Sequence, residues 1–242
     1  MKNHKILIFL IGFLVLISYG CTRLKKPQAI TERENWIASF HDSIRFYKER
    51  IATVESELSS YNSQINVLLD KFEFISNPRQ VSGFYILKGW NAKLPFKKTS
   101  IYARLNENET IELIATLSGA TFNKISVSFG NESVSSDIVP HDQAFNYRHN
   151  GYNTVCFSGI AADSVAEFIA THKNGNLVLH YLEGSKSKNF TIPENEKSMI
   201  ADTWDLHLSQ LKQKSLQKEL WLISRKIDTY RRMLENTDSL TF

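Results

Sequence analysis

The organisation of this chain is decided by residues 31–78, which read TERENWIASFHDSIRFYKERIATVESELSSYNSQINVLLDKFEFISNP. Apolar side chains recur along this stretch at intervals of three and four residues, in strict alternation. They are Ile37, Phe40, Ile44, Tyr47, Ile51, Val54, Leu58, Tyr61, Ile65, Leu68, Phe72 and Ile75. This spacing forms one apolar stripe that a lone helix cannot bury. It therefore predicts a coiled-coil helix over residues 32–77 that contacts another helix.

Local signals mark both ends of this first helix. Thr31 and Glu34 have the spacing of a capping box, in which each side chain satisfies a free backbone N–H at a helix start. Asn77 and Pro78 favour termination, because the residue before a proline avoids the helical conformation. Upstream, residues 21–31 are expected to form a short tether, since Pro27 disfavours an early helix.

A second coiled-coil helix is predicted over residues 194–236, packing back on the first. Its apolar seam is regular in the second half, at Leu216, Leu220, Ile223, Ile227, Tyr230 and Leu234. In the first half, Trp204, Leu208 and Leu211 are offset from that seam, which predicts contact with the globular part instead. The two helices predict a long antiparallel hairpin with a domain inserted at its tip. The alternative is an oligomer held together by a parallel coiled coil of the first helix.

Residues 79–193 change to the period of two that is typical of strands, with turn residues between short β-branched and aromatic runs. The candidate strands are residues 83–87, 99–105, 110–117, 124–129, 153–158, 176–182 and 188–192. One short helix is expected to start at Asp163 as its cap and to end at Asn174 and Gly175. The sequence therefore predicts an α+β fold whose inserted domain is a small β-sandwich or barrel-like structure.

The N-terminus is typical of a secretory signal peptide over residues 1–20. Lys2 and Lys5 precede an apolar run over residues 6–17. That run is about 12 residues long, whereas a membrane-spanning helix needs about 20.

The residues Ser18-Tyr19-Gly20-Cys21 resemble the lipobox of bacterial lipoproteins, although Ser18 stands where the strongest form of the motif has leucine. The resemblance implies cleavage before Cys21, lipidation of its sulfur and attachment to a membrane. Because Thr22 is not aspartate, it also implies sorting to the outer membrane. The residues after Cys21 are basic, unlike acidic signals for surface display, which favours the periplasmic face. The alternatives are an ordinary signal peptide or an uncleaved anchor, with Cys21 incidental in either case.

Charge, cysteine count and residue spacing argue against a nucleic acid partner, an intrachain disulfide and a metal site. The net charge is only +4, too small a bias to indicate a nucleic acid partner. The two cysteines, Cys21 and Cys156, allow no intrachain disulfide if Cys21 is lipidated. Cys156 is interpreted as a structural residue. His141, Asp142 and His149 have the spacing of no defined metal site, so no metal and no cofactor is predicted.

The loop over residues 140–153 is the best candidate for recognition, because aromatic and polar groups on a loop often form binding sites. The candidate binding residues are Phe145, Tyr147, Arg148 and Tyr152. The alternative is an ordinary ordered loop without a binding role. The chain is therefore predicted to be a non-enzymatic binding or scaffold module, whose partner is an unidentified envelope protein or glycan. The alternative is an envelope hydrolase that uses the Asp, His and Tyr residues of this loop.

Overall fold

The computed structural model describes residues 3–76, 82–90, 97–142 and 144–239, with side chains between residues 31 and 236. In this part of the chain three helices and two antiparallel sheets form a mixed α+β fold, which confirms the predicted class. The helices are α1 (Asn3–Leu69), α2 (Ile160–Thr171) and α3 (Glu194–Ser239). The strands are β1 (Phe72–Ile75), β2 (Phe84–Leu87), β3 (Ser100–Asn106), β4 (Ile111–Ser118), β5 (Lys124–Phe129), β6 (Glu132–Ser135), β7 (Asn146–His149), β8 (Tyr152–Ser158), β9 (Val178–Glu183) and β10 (Lys186–Thr191). The side chains of the signal peptide and of Cys21 lie outside the described residues.

The strands belong to one compact unit, Leu58–Ser215. The larger sheet has the order β1-β2-β3-β4-β8-β7, and the smaller has the order β10-β9-β5-β6. Within the described residues both sheets have open edges, so they form no closed barrel. In β5, Ile125 and Val127 are fully buried while Ser126 and Ser128 are half-buried, as the alternation of the sequence predicts. In β4, by contrast, residues on both faces are buried, as expected of a central strand.

The first half of α3 belongs to the core of this unit. Strand β3 pairs with β2 only at Asn106 and Leu105, and α3 covers part of the edge that remains. The backbone N–H of Ile101 donates to the buried carboxylate of Glu196 over 3.0 Å, and that of Ala103 lies 3.3 Å from the sulfur of Met199. The predicted contact between this half of the helix and the globular part is therefore confirmed.

The offset apolar residues of α3 have different surroundings. Trp204 is only 9% exposed and belongs to the core, but Leu208 and Leu211 are 45% and 43% exposed. The prediction therefore holds for the residues nearest the start of the helix.

Met1–Glu57 and Leu216–Phe242 form a second compact unit, built from the first part of α1 and the last part of α3. Among the residues of the predicted seams, Ile44, Val54, Leu216, Ile223 and Ile227 are buried. The ring of Tyr230 lies 5.8 Å from that of Phe40 and 6.0 Å from that of Tyr47. Arg50 forms a 2.8 Å ion pair with Glu219. The seam residues predicted from spacing therefore bring the two helices into contact here.

The predicted ends of the first helix are wrong. The backbone is helical from Asn3, so residues 21–31 are helical, and Thr31 lies inside the helix rather than at its cap. The helix ends at Leu69, not at residue 77, and Phe72 and Ile75 lie in β1. The aromatic run Phe72–Ile75 pairs with β2 along its whole length, so sheet contacts override the helical spacing of its apolar residues.

Other differences are local. The two polar strands β6 and β7 were not predicted, because they carry no apolar alternation. Helix α2 begins at Ile160, with Gly159 at the N-cap and Asp163 in the first turn, and it ends at Thr171. Gly159 has φ 82, a conformation that glycine adopts without strain.

Candidate anion-binding cleft

The residues of the 140–153 loop are positioned by a hairpin of β7 and β8. Asn150 and Gly151 have φ values of 49 and 82, as a two-residue type I′ turn requires. The register sets Arg148 opposite Asn153 and Tyr147 opposite Thr154. Because opposed residues share a face of a sheet, Arg148 lies on the inner face with buried Asn153. Tyr147 lies on the other face.

The four predicted binding residues are therefore not brought together. Tyr152, opposite His149 in the register, shares the face of Tyr147, and its hydroxyl donates to the carbonyl of Lys97 over 2.7 Å. Phe145 lies just before β7 and is 54% exposed. Only Arg148 points toward the inner face, where it lines a cleft.

Two buried asparagines hold this hairpin in place. The amide nitrogen of Asn146 donates to the carbonyls of Phe122 (3.2 Å) and Val139 (2.8 Å). Asn153 donates to the Oδ1 of Asn146 over 2.9 Å and accepts from the backbone N–H of Phe122 over 2.8 Å. Asn146 is only 2% exposed and Asn153 only 1%. These bonds fix the orientation of the Asn146 amide.

His141 extends this network to the edge of the cleft. Its Nδ1 lies 3.1 Å from Oδ1 of Asn146, and its Nε2 lies 2.7 Å from Oε1 of Glu183. Both ring nitrogens therefore lie within hydrogen-bond distance of a side-chain oxygen. Glu183 also accepts from the hydroxyl of Thr121. The Thr121 hydrogen bond, and then the His141 hydrogen bond, lower the pKa of Glu183.

Asp142 has a structural role. One oxygen of its carboxylate accepts the backbone N–H groups of Ala144, Phe145 and Asn146, at 2.8, 2.5 and 3.1 Å. These bonds, that of Phe145 first, lower the pKa of Asp142. Asp142 is bound to its own loop, both nitrogens of His141 are engaged, and His149 lies opposite Tyr152 on the other face of the sheet, so these three side chains do not converge. The alternative prediction, a hydrolase that uses the residues of this loop, stays a hypothesis.

The cleft itself has a volume of about 500 Å³, a size that suits a small ligand or part of a larger one. Its walls come from the β4–β5 connection, from β7 and from the β9–β10 hairpin. The lining residues are Leu117, Gly119, Ala120, Thr121, Arg148, Tyr181, Glu183, Lys186, Ser187 and Lys188. Three cationic side chains thus face one carboxylate, and that carboxylate is already bound by His141 and Thr121.

The cations of the cleft are available to a ligand. Arg148, Lys186 and Lys188 form no ion pair with any residue in the described part of the chain, although the charge of Lys186 attracts Glu183. Sequence reasoning found Arg148 but not Lys186, Lys188, Glu183 or Thr121. Lys186 and Lys188 flank Ser187 directly after the Gly184–Ser185 turn. This spacing would place both lysines on one face of a strand, and it is the signal that could have identified them.

The opposite face of the larger sheet carries a second polar group. Arg104 donates to Glu112 over 2.6 Å, and the guanidinium lies 4.5 Å from the centre of the Phe84 ring. Cys156 lies beside this pair. Burial, and then the charge of Glu112, raise the pKa of its thiol to about 12. Cys156 therefore stays protonated at neutral pH, which supports the structural interpretation.

This environment predicts slow reaction of Cys156 with thiol reagents. Because the thiolate is the reactive form, the native protein should react with Ellman's reagent at pH 8 at least about 100-fold more slowly than the protein in urea. Stopped-flow absorbance on a Cys21→Ser variant, in which Cys156 is the one remaining cysteine, measures this thiol. Equal rates in the native and unfolded states would contradict the predicted protection.

A second cavity, of about 630 Å³, lies between α1 and α3 in the unit that contains the strands. Val67, Leu68 and Leu208 give it an apolar lining, interrupted by Asp205 and three other polar residues. Burial, its largest influence, raises the pKa of Asp205. This cavity offers shape and apolar contact but few groups that select a ligand.

No known protein family, curated protein or solved structure matches this chain. Among the described residues, no three His, Cys, Asp or Glu side chains come close enough together to hold a metal ion. Within the described part of the chain, no helix is both long enough and apolar enough to span a membrane.

Proposed function

We propose that this protein is a lipid-anchored component of the bacterial envelope, and that its β-rich unit binds an anionic partner without catalysing a reaction. The observation that carries the binding proposal is the cleft in which Arg148, Lys186 and Lys188 face a single, already paired carboxylate. In a partly enclosed site such cations bind carboxylate or phosphate groups, and arginine does so with two parallel hydrogen bonds.

The anchoring part of the proposal rests on the sequence. The signal peptide over residues 1–20 and the lipobox at Cys21 imply attachment through acyl chains, and Thr22 implies the outer membrane. The protein would face the periplasm there. An envelope protein or glycan that presents acidic groups to that compartment is the expected partner.

The helices are proposed to pair as an antiparallel coiled-coil hairpin, and the inserted strands to form a sandwich. Two contacts support the antiparallel order, since the later residue of α1 meets the earlier residue of α3. They are Phe40 with Tyr230 and Arg50 with Glu219. The alternative, an oligomer through a parallel coiled coil, predicts a concentration-dependent mass in sedimentation.

Replacing Arg148 by alanine should weaken anion binding about 10- to 100-fold, because a hydrogen bond to a charged group contributes about 1.5–3 kcal/mol. Binding of polyglutamate and of polygalacturonate to the mature protein in detergent can be measured by isothermal titration calorimetry. Replacing Lys212, which does not line the cleft, removes the same charge elsewhere and should change affinity less than about twofold. Equal losses in both variants, or no binding of either polymer, would contradict the proposal.

A further inference from the structure

Strand β10 is an unprotected edge beside the cleft. It is the first strand of the smaller sheet, and its partner among the described residues is β9. Five of its six residues are exposed. An edge of this kind presents backbone N–H and C=O groups that can pair with a further strand.

The register identifies which backbone groups point outward. In an antiparallel pair, hydrogen-bonded and non-hydrogen-bonded positions alternate. The N–H of Ile192 donates to the carbonyl of Leu177, so this pair is hydrogen-bonded. Counting back along β10 in steps of two, the pairs Phe190–Leu179, Lys188–Tyr181 and Lys186–Glu183 are hydrogen-bonded as well. The carbonyl of Leu182, opposite Ser187, accepts instead from Asn123 on the other side of β9. The N–H and C=O groups of Ser187, Asn189 and Thr191 therefore point to the free edge.

The side chains of β10 divide between two faces. In the strand register, Lys186 lies opposite Glu183 and Lys188 lies opposite buried Tyr181. Both lysine side chains therefore lie on the inner face and line the cleft opposite Arg148. The side chains of Ser187 and Asn189 lie on the outer face, where the Ser187 hydroxyl donates to Oδ1 of Asn189 over 3.3 Å, so Ser187 borders the cleft through its backbone. Edge lysines normally discourage pairing between like copies, but the same lysines attract a strand whose inner residues are acidic.

We propose that β10 binds an extended acidic peptide segment by strand addition, with its acidic side chains alternating into the cleft. This inference rests on the proposed anion-binding function and names the partner as a protein. Backbone pairing supplies affinity, and alternate side chains supply specificity, as in other complexes of this type. In an antiparallel alignment, acidic residues lie beside Lys186 and Lys188, while the residues between them exchange hydrogen bonds with Ser187 and Asn189. A glycan could meet the cations but could not continue the backbone ladder.

The test uses the fluorescein-labelled peptide Glu-Val-Glu-Val-Glu-Val-Glu and fluorescence anisotropy on the mature protein in detergent. Replacing Ser187 by proline removes one outward N–H without removing a bond to β9, and proline is tolerated at such edge positions. We expect this variant to bind the peptide at least about tenfold more weakly. Ser187→Ala keeps the N–H and removes only the hydroxyl, so it should bind within about twofold of the unchanged protein.

Methylated peptides give the same test without changing the protein. Methyl groups on the valine backbone nitrogens block the groups that pair with Ser187 and Asn189, and should abolish binding. Methyl groups on the glutamate nitrogens lie on the opposite edge and should be tolerated. Equal binding of both peptides, or of the peptide to Ser187→Pro and Ser187→Ala, would overturn strand addition.

The two proposals can fail separately. Polygalacturonate that binds in an Arg148-dependent way, together with a peptide whose binding ignores Ser187→Pro and valine methylation, leaves the anion-binding cleft in place and overturns the strand proposal. Absence of binding by both the polymers and the peptide overturns both.

Discussion

Replacing Cys21 by alanine is expected to abolish fatty-acid labelling of the protein completely and to leave residues 1–20 attached. The lipobox resemblance implies that lipidation of the Cys21 sulfur precedes cleavage, so without the sulfur neither step can occur. Two or three acyl chains hold a protein firmly on a bilayer, since each buried CH₂ contributes about 0.8 kcal/mol. Metabolic labelling with an alkyne-bearing palmitate, followed by mass spectrometry of the intact chain, measures both consequences.

The chain provides its own matched control, because it has only two cysteines. Cys156→Ala removes a thiol of raised pKa from β8 and should keep full labelling and normal cleavage. The fold of Cys21→Ala should be unchanged, since the strands and their core lie in Leu58–Ser215. Labelling that persists in Cys21→Ala, or is lost in Cys156→Ala, would contradict lipidation at Cys21.

Much of the helical and strand content could be predicted from the sequence where one face of an element is buried. The seam of α1 and the alternation in β5 are strong signals because each apolar residue recurs with the period of its element. The strands β6 and β7 have no such signal. They are short, polar edge strands, and only the Asn150–Gly151 turn indicates the hairpin that includes β7.

The end of α1 was mispredicted for a related reason. Phe72 and Ile75 continue the three-and-four spacing of the helix, yet they pair with β2. At this boundary, contacts with strands far along the chain decide the structure, and local spacing cannot report them.

The candidate site could be predicted only in part. Arg148 belongs to an aromatic and polar loop that stands out in the sequence. Lys186 and Lys188 stand in an unremarkable polar run, and they join Arg148 only because β7 and β10 are edge strands of two different sheets. Such a site depends on the arrangement of the sheets, which the spacing of residues within one strand does not encode.

Replacing Asn146 by aspartate is expected to lower the free energy of unfolding by about 3–5 kcal/mol, because it leaves buried polar groups without partners. The amide nitrogen of Asn146 donates to two carbonyls, those of Phe122 and Val139. Aspartate would direct a charged oxygen at both of them, in a site that is 2% exposed. Urea denaturation followed by circular dichroism should show a lower midpoint with an unchanged slope.

The matched control is Asn131→Asp, which makes the same chemical change in the exposed turn between β5 and β6. It should alter stability by less than about 0.5 kcal/mol. A similar small effect in Asn146→Asp would mean that the amide is not held between the two carbonyls. The loss of this amide would also affect the cleft. Its oxygen accepts a hydrogen bond from Asn153, which lies opposite Arg148. The same oxygen contacts His141, which in turn binds Glu183. The same variant should therefore weaken anion binding even at temperatures where it remains folded, because hydrogen bonds of this side chain lead to the β7 wall and to Glu183 of the β9–β10 wall.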